Sequence, residues 1–152
     1  GKMFARYHWL AQTIWRASIV TLTISFIILG ARSYAEDVAV IESEMVVTAK
    51  WVAENVPPDA VIAAHDIGAL GYFDNHKLLD LAGLISPDVI PFIRDEPQLA
   101  NYLNQSGAAY LIAFPEFYPL LTENAERVFV TNSAITLKFG QKNMVVYLWK
   151  SP

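Results

Sequence analysis

The residues with the most chemical potential lie between His65 and Pro87: His-Asp-Ile-Gly-Ala-Leu-Gly-Tyr-Phe-Asp-Asn-His-Lys-Leu-Leu-Asp-Leu-Ala-Gly-Leu-Ile-Ser-Pro. Asp66 follows a short apolar run and precedes Gly68 and Gly71. Asp80 closes a second such run and precedes Gly83. In an α/β sheet, ligands settle in the crevice outside the carboxyl ends of the strands. Asp66, Gly68, Asp80 and Gly83 are therefore candidate ligand-binding residues. Each also has a plainer use. Asp66 can cap the turn that follows it, Asp80 can satisfy a buried loop, and the glycines can supply positive φ. Both uses stay open. Glu116 is a further candidate: with Phe114, Phe117 and Tyr118 it makes an acid amid aromatics, a surface suited to stacking on sugar rings.

Other chemistries have less support. His65, His76, Asp66 and Asp74 can be drawn together as a metal set, but their spacing matches no ligand signature, and His76 is expected in a water-facing turn. No metal is expected. Gly68 and Gly71 are not a dinucleotide fingerprint, and no phosphate loop or Gly-x-Ser-x-Gly is present, so no cofactor and no catalytic residue is assigned. The chain contains no cysteine, which excludes disulfides and thiolate catalysis.

These residues must be positioned by alternating elements. Ser33 to Glu36 has capping-box spacing, and Val38, Ile41, Met45, Val46, Ala49 and Val52 recur at helical spacing, leaving Glu42, Glu44 and Lys50 on the polar side. That predicts an amphipathic helix from about Glu36 to Glu54, either newly capped or continuing from upstream with a bend at Gly30. Val61–His65 and Lys77–Leu81 read as strands. Ser86-Pro87-Asp88 and Asp95-Glu96-Pro97 are helix starts, and Gly107 is a C-terminal cap. Ala109–Phe114 is the next strand, followed by a short helix from Phe117 to about Asn124. Arg127–Thr131, Ile135–Phe139 and Met144–Trp149 read as strands, the last two joined by a four-residue loop into a C-terminal β-hairpin. The expected fold is a small α/β sandwich with a mixed sheet, parallel strands first and an antiparallel hairpin at one edge.

Ahead of this domain runs a different kind of segment. Between Arg16 and Arg32 there is no charge, and from Trp9 to Ala31 a helix would reach roughly 35 Å, enough to cross the hydrocarbon core with some tilt. Trp9 and Trp15 suit the membrane interface, and Arg16 near the end can snorkel to the headgroups. Residues 1–32 are read as a basic flank and transmembrane helix. A buried helix of a soluble fold and a secretory signal are the alternatives; Gly30-Ala31-Arg32-Ser33 makes a poor cleavage site.

Charge divides the same way. Lys2, Arg6, Arg16 and Arg32 stand in the first segment without an acid, whereas residues 33–152 hold fifteen acids against seven Lys or Arg, a net −8. The positive-inside bias then places the N-terminus in the cytoplasm and the acidic domain outside the cell membrane. The lipid bilayer is the expected partner, and an acidic domain is not expected to bind nucleic acid.

Within this frame Asp66-Ile67-Gly68-Ala69-Leu70-Gly71-Tyr72-Phe73, then Leu79-Asp80-Leu81-Ala82-Gly83-Leu84 and Ser86-Pro87, resembles the C-terminal extracytoplasmic domain of polytopic bacterial glycosyltransferases. These are the protein mannosyltransferase and aminoarabinose transferase-like enzymes that use polyprenyl-phosphate sugars. Trp51 to Ala60 resembles the helix and turn leading into that block, and the likeness covers roughly residues 46–120. It implies a periplasmic domain that helps bind an acceptor or a lipid-linked sugar donor. It also implies that the catalytic acid, which sits in the family's first extracytoplasmic loop, lies outside these 152 residues. The chain is then either a fragment of such an enzyme or a single-span accessory subunit that docks on other transmembrane helices, with Ala17, Ser18, Thr21 and Ser25 permitting close approach.

Overall fold

The computed structural model describes residues 2–123 and 125–150 and divides into two compact units, Gly1–Val38 and Ala39–Pro152. The first is one element, helix α1, Lys2–Val40, which runs across the division expected at 32/33 and ends in the second unit. From Tyr7 through Tyr34 its side chains are exposed on every side, Trp15, Phe26 and Leu29 among them. It is long and apolar enough to cross a membrane. Ser33 does not cap a new helix, because the residues before it are already helical. Glu36 pairs instead with Arg32 at 3.2 Å, one turn back.

Helical geometry changes at Ile41–Val46, not at Gly30. This segment is π-helical, and helix α2, Val47–Asn55, follows it directly. The wider π turn adds a residue to one turn and so re-aims the side chains around it. Glu44, expected on the polar face, is completely buried as a result. Ala49 and Val52 of α2 lie buried on the sheet as the apolar spacing predicts, and Pro57-Pro58 ends the helix.

The sheet has five strands in the order β2-β1-β3-β5-β4. Strands β1 (Val61–Ala64), β2 (Lys77–Asp80) and β3 (Ala108–Ala113) are parallel, while β4 (Glu126–Val130) and β5 (Val145–Leu148) add an antiparallel half. Strand alternation splits the core into two layers. Ile62, Ala64, Ile112 and Val146 face α2 and helix α3, Gly68–Phe73. Ala63, Leu111, Val145 and Tyr147 face a 3₁₀ helix, Pro87–Phe92, and helices α4, Glu96–Ser106, and α5, Pro119–Thr122. Asp95 caps α4 by accepting from the Gln98 amide, and Gly107 ends it at φ +71°. The expected end of α5 at Asn124 lies outside the described residues.

One predicted strand is a helix. Ala134–Lys138 forms α6, capped by Ser133 Oγ, which accepts from the Thr136 amide and from its hydroxyl. The alternation Ile135, Leu137, Phe139 misleads because Thr136 is the residue buried there, while Leu137 and Phe139 are exposed. Strand β5 instead pairs antiparallel with both β3 and β4, and β4 reaches it through α6, not by a four-residue hairpin loop.

Candidate functional site

The parallel strands deliver His65 to the carboxyl end of β1, Asp80 to the end of β2 and Phe114 to the end of β3. The connection after β3 bends at Pro115 and returns Phe117 and Tyr118 toward β1. There Tyr118 Oη meets His65 Nδ1 at 2.8 Å, and Phe117 stands edge-on to the imidazole, 5.1 Å between ring centres. With Ile93 and Arg94 these three residues line an open cleft of about 410 Å³. Arg94 pairs with no carboxylate among the described residues.

The Tyr118 ring is buried. Its hydroxyl is pushed up to about 12, first by burial and then by the negative charges of Asp66, Asp80 and Glu96. It therefore stays protonated and shares a hydrogen bond with His65 Nδ1. Asp66 follows His65 and is half-buried. No hydrogen bond reaches its carboxyl among the described residues, and none caps α3, whose N-cap position is Ile67. Burial pushes the Asp66 carboxyl up, and the adjacent His65 opposes this only in part.

Asp80 is occupied differently. It is completely buried, its Oδ1 accepts from the Ala82 amide and its Oδ2 from the Ile85 amide, both at 2.8 Å. Ser86 forms part of the same knot: its hydroxyl accepts from the Asp80 amide instead of capping the 3₁₀ helix. Gly83 closes the knot at φ +80°, where a Cβ would stand 2.8 Å from Ile90. Asp80 and Gly83 thus shape the loop beside the cleft, and Asp80 reaches Tyr118 through its charge. Gly68 opens α3 and faces open space. Glu116 is exposed and accepts from the Lys142 amide at 3.0 Å, so it braces the loop before β5 and does not line the cleft. Trp9, Trp15, Arg16 and Arg32 are exposed along α1.

His76 does not face water. Its side chain is 4% exposed, with Nδ1 2.6 Å from Asp74 and Nε2 2.7 Å from the Pro57 carbonyl. His65 and His76 are thus each engaged with different partners. Sequence reasoning missed Arg94 as a cleft residue and the pairing of Tyr118 with His65. No local pattern connects residues 53 positions apart.

The model of a family described as a domain of unknown function (DUF8728) matches residues 25–147. No curated protein and no solved structure matches the chain.

Proposed function

The chain belongs to the DUF8728 family, a domain of unknown function, and we propose that it is a membrane-anchored extracytoplasmic binding domain. In this reading α1 crosses the lipid bilayer once, with the basic flank in the cytoplasm and the acidic domain outside the cell membrane. The domain then helps a membrane glycosyltransferase hold its acceptor or its lipid-linked sugar donor, with no catalysis of its own. The observation that carries the reading is the cleft of His65, Arg94, Phe117 and Tyr118. It opens at the carboxyl ends of β1 and β3, where α/β sheets bind ligands, and it offers an aromatic wall beside polar groups. The exposed apolar girth of α1 supports the anchor, since a surface of that extent needs lipid or protein to cover it.

Two measurements test it. The chain contains no native cysteine, so an Asp59→Cys variant in intact cells reports the side of the membrane. Labelling by an impermeant maleimide is expected, and labelling only after the membrane is opened would overturn the orientation. For the ligand, the full chain in nanodiscs is expected to retain a polyprenyl-phosphate sugar or a glycan acceptor in native mass spectrometry. It should do so less well as Phe117→Ala, and equal retention of a plain phospholipid would refute the role.

A second reading is favoured by one observation on α1. Ala17, Thr21 and Ser25 follow one another at helical spacing and are exposed, a stripe along which another transmembrane helix can approach closely. On that reading the chain is a single-span accessory subunit of a larger membrane complex. Thr21→Leu would then release a crosslinked partner without disturbing the folded outer domain.

A further inference from the structure

Two of the residues that line the cleft, His65 and Arg94, carry imidazole and guanidinium nitrogens. Tyr118 engages Nδ1 of His65, which leaves Nε2 without a partner among the described residues. Arg94 lines the same cleft, contributes a forked guanidinium and is paired with no acid among the described residues. The nearby carboxylates are turned to other work: Asp80 accepts from two loop amides, and Glu96 accepts from the Leu121 amide at 2.8 Å. Asp66 is not among the residues that line the cleft, and burial makes its charged form less favourable. The remaining walls, Ile93 and the Phe117 ring, are apolar.

We infer that this cleft receives an oxyanion carried on an apolar body, with Arg94 supplying charge and fork geometry and His65 Nε2–H a second, directed donor. On this inference Tyr118 is a positioning residue: its hydroxyl donates to His65 Nδ1 and so keeps the imidazole proton on Nε2. The inference rests on the reading of this cleft as a binding site and adds the chemistry of what binds. A phosphate ester meets the description either as a soluble molecule or as a lipid headgroup.

The experiment uses the full chain in phosphatidylcholine nanodiscs. Phenyl phosphate is the soluble probe, a short-chain phosphatidic acid the lipid probe, and benzyl alcohol the neutral control. Calorimetry is expected to show saturable binding of at least one phosphate probe and none of benzyl alcohol. Arg94 is exposed, so Arg94→Met keeps the stem and the fold, and it should weaken the phosphate probe about tenfold or more. Tyr118→Phe should weaken it less. In two-bond ¹⁵N–¹H spectra the same variant should move His65 from the Nε2–H form toward a mixture, a change that loss of packing alone does not produce. Binding of either probe through Arg94 supports the inference and tells its source. Failure of both probes, equal binding of benzyl alcohol, or an Arg94→Met chain that binds as before overturns it. A chain that takes phenyl phosphate through Arg94 but ignores lipid-linked sugars keeps this inference and loses the glycosyltransferase reading. A chain that retains those sugars with Arg94 replaced does the reverse.

Discussion

Two polar regions of the outer domain treat buried charge in opposite ways. At the π-helical segment Glu44 is completely buried, yet its carboxylate accepts from the Thr131 hydroxyl, the Asn143 amide at 2.7 Å and the Met144 amide at 2.9 Å. Next to it Ser43 Oγ lies 2.8 Å from Ser133 Oγ. Both carboxylate oxygens are engaged, and all three bonds join this helix to the β4–β5 connection. Beside the cleft Asp66 is only half-buried, but among the described residues no donor reaches it, and Nε2 of the neighbouring His65 likewise has no partner there. Burial with a full set of partners makes a carboxylate part of the scaffold. Burial without them shows as a displaced protonation equilibrium and as room for a ligand.

The sharpest way to break the comparison is to empty the closed region. Glu44→Ala leaves the Met144 amide without an acceptor and leaves the Thr131 hydroxyl and the Asn143 amide only the Met144 and Ser133 carbonyls, both at 3.2 Å. An orphaned buried group costs about 1–3 kcal/mol, and the emptied side-chain volume adds to it. The sum is expected near 3–5 kcal/mol, at the diagnostic end of single substitutions. Glu44→Gln keeps the volume but turns an amino group toward one of those donors, and should cost about 1–3 kcal/mol. Urea unfolding in mild detergent, followed by tryptophan fluorescence, measures both. A loss below about 1 kcal/mol for the alanine variant would mean that the latch is wet and not structural.

Next in size is the Asp80 knot, which belongs with the closed region although it borders the cleft. Gly83→Ala forces a side chain into the left-handed region and into Ile90, 2.8 Å away. About 2 kcal/mol is expected, from strain and overpacking together. Gly107→Ala is the control, since it has a similar φ of +71° with nothing within 4 Å. It should cost about 1 kcal/mol, the conformational part alone. Equal losses would show that the loop around Ile90 yields freely and holds Asp80 less firmly than its hydrogen bonds imply.

The same contrast explains what could be read in the sequence. The parallel strands, the Asp95 cap, the Gly107 stop and the apolar face of α2 follow from local rules, because each is decided by residues within a turn or two of one another. Glu44 departs from its expected face because helical spacing assumes α geometry, whereas the π-helical segment re-aims the side chains within it; Ala49 and Val52 beyond it keep theirs. The strand expected at Ile135–Phe139 failed for a related reason. Alternation records which residues are apolar, whereas Ser133 and Thr136 decide the segment by capping and burial. At the cleft, Asp66 and Asp80 were visible as strand-end acids, but their difference was not. That difference lies in which backbone amides the later loop turns toward them. Arg94 and Tyr118 come from connections whose positions only the assembled sheet determines.

The smallest expected effect bears on the open region itself. Burial raises the Asp66 carboxyl above its ordinary value of 3.8. The folded state therefore holds a proton there more readily than the unfolded chain does. The stabilising contribution of the protonated form is complete below 3.8 and fades as pH rises through the folded value, so at neutral pH the charged Asp66 weighs against folding. Asp66→Asn removes that dependence. The variant should be as stable as the parent near 3.8 and modestly more stable at neutral pH, a difference small enough to need paired melting curves across the acid range. Solvent reaches this half-exposed group and keeps the gain well below that of a sealed site. A variant less stable than the parent at neutral pH would mean that Asp66 has a donor after all. It would then belong with Glu44 and Asp80, as a carboxylate held by the scaffold.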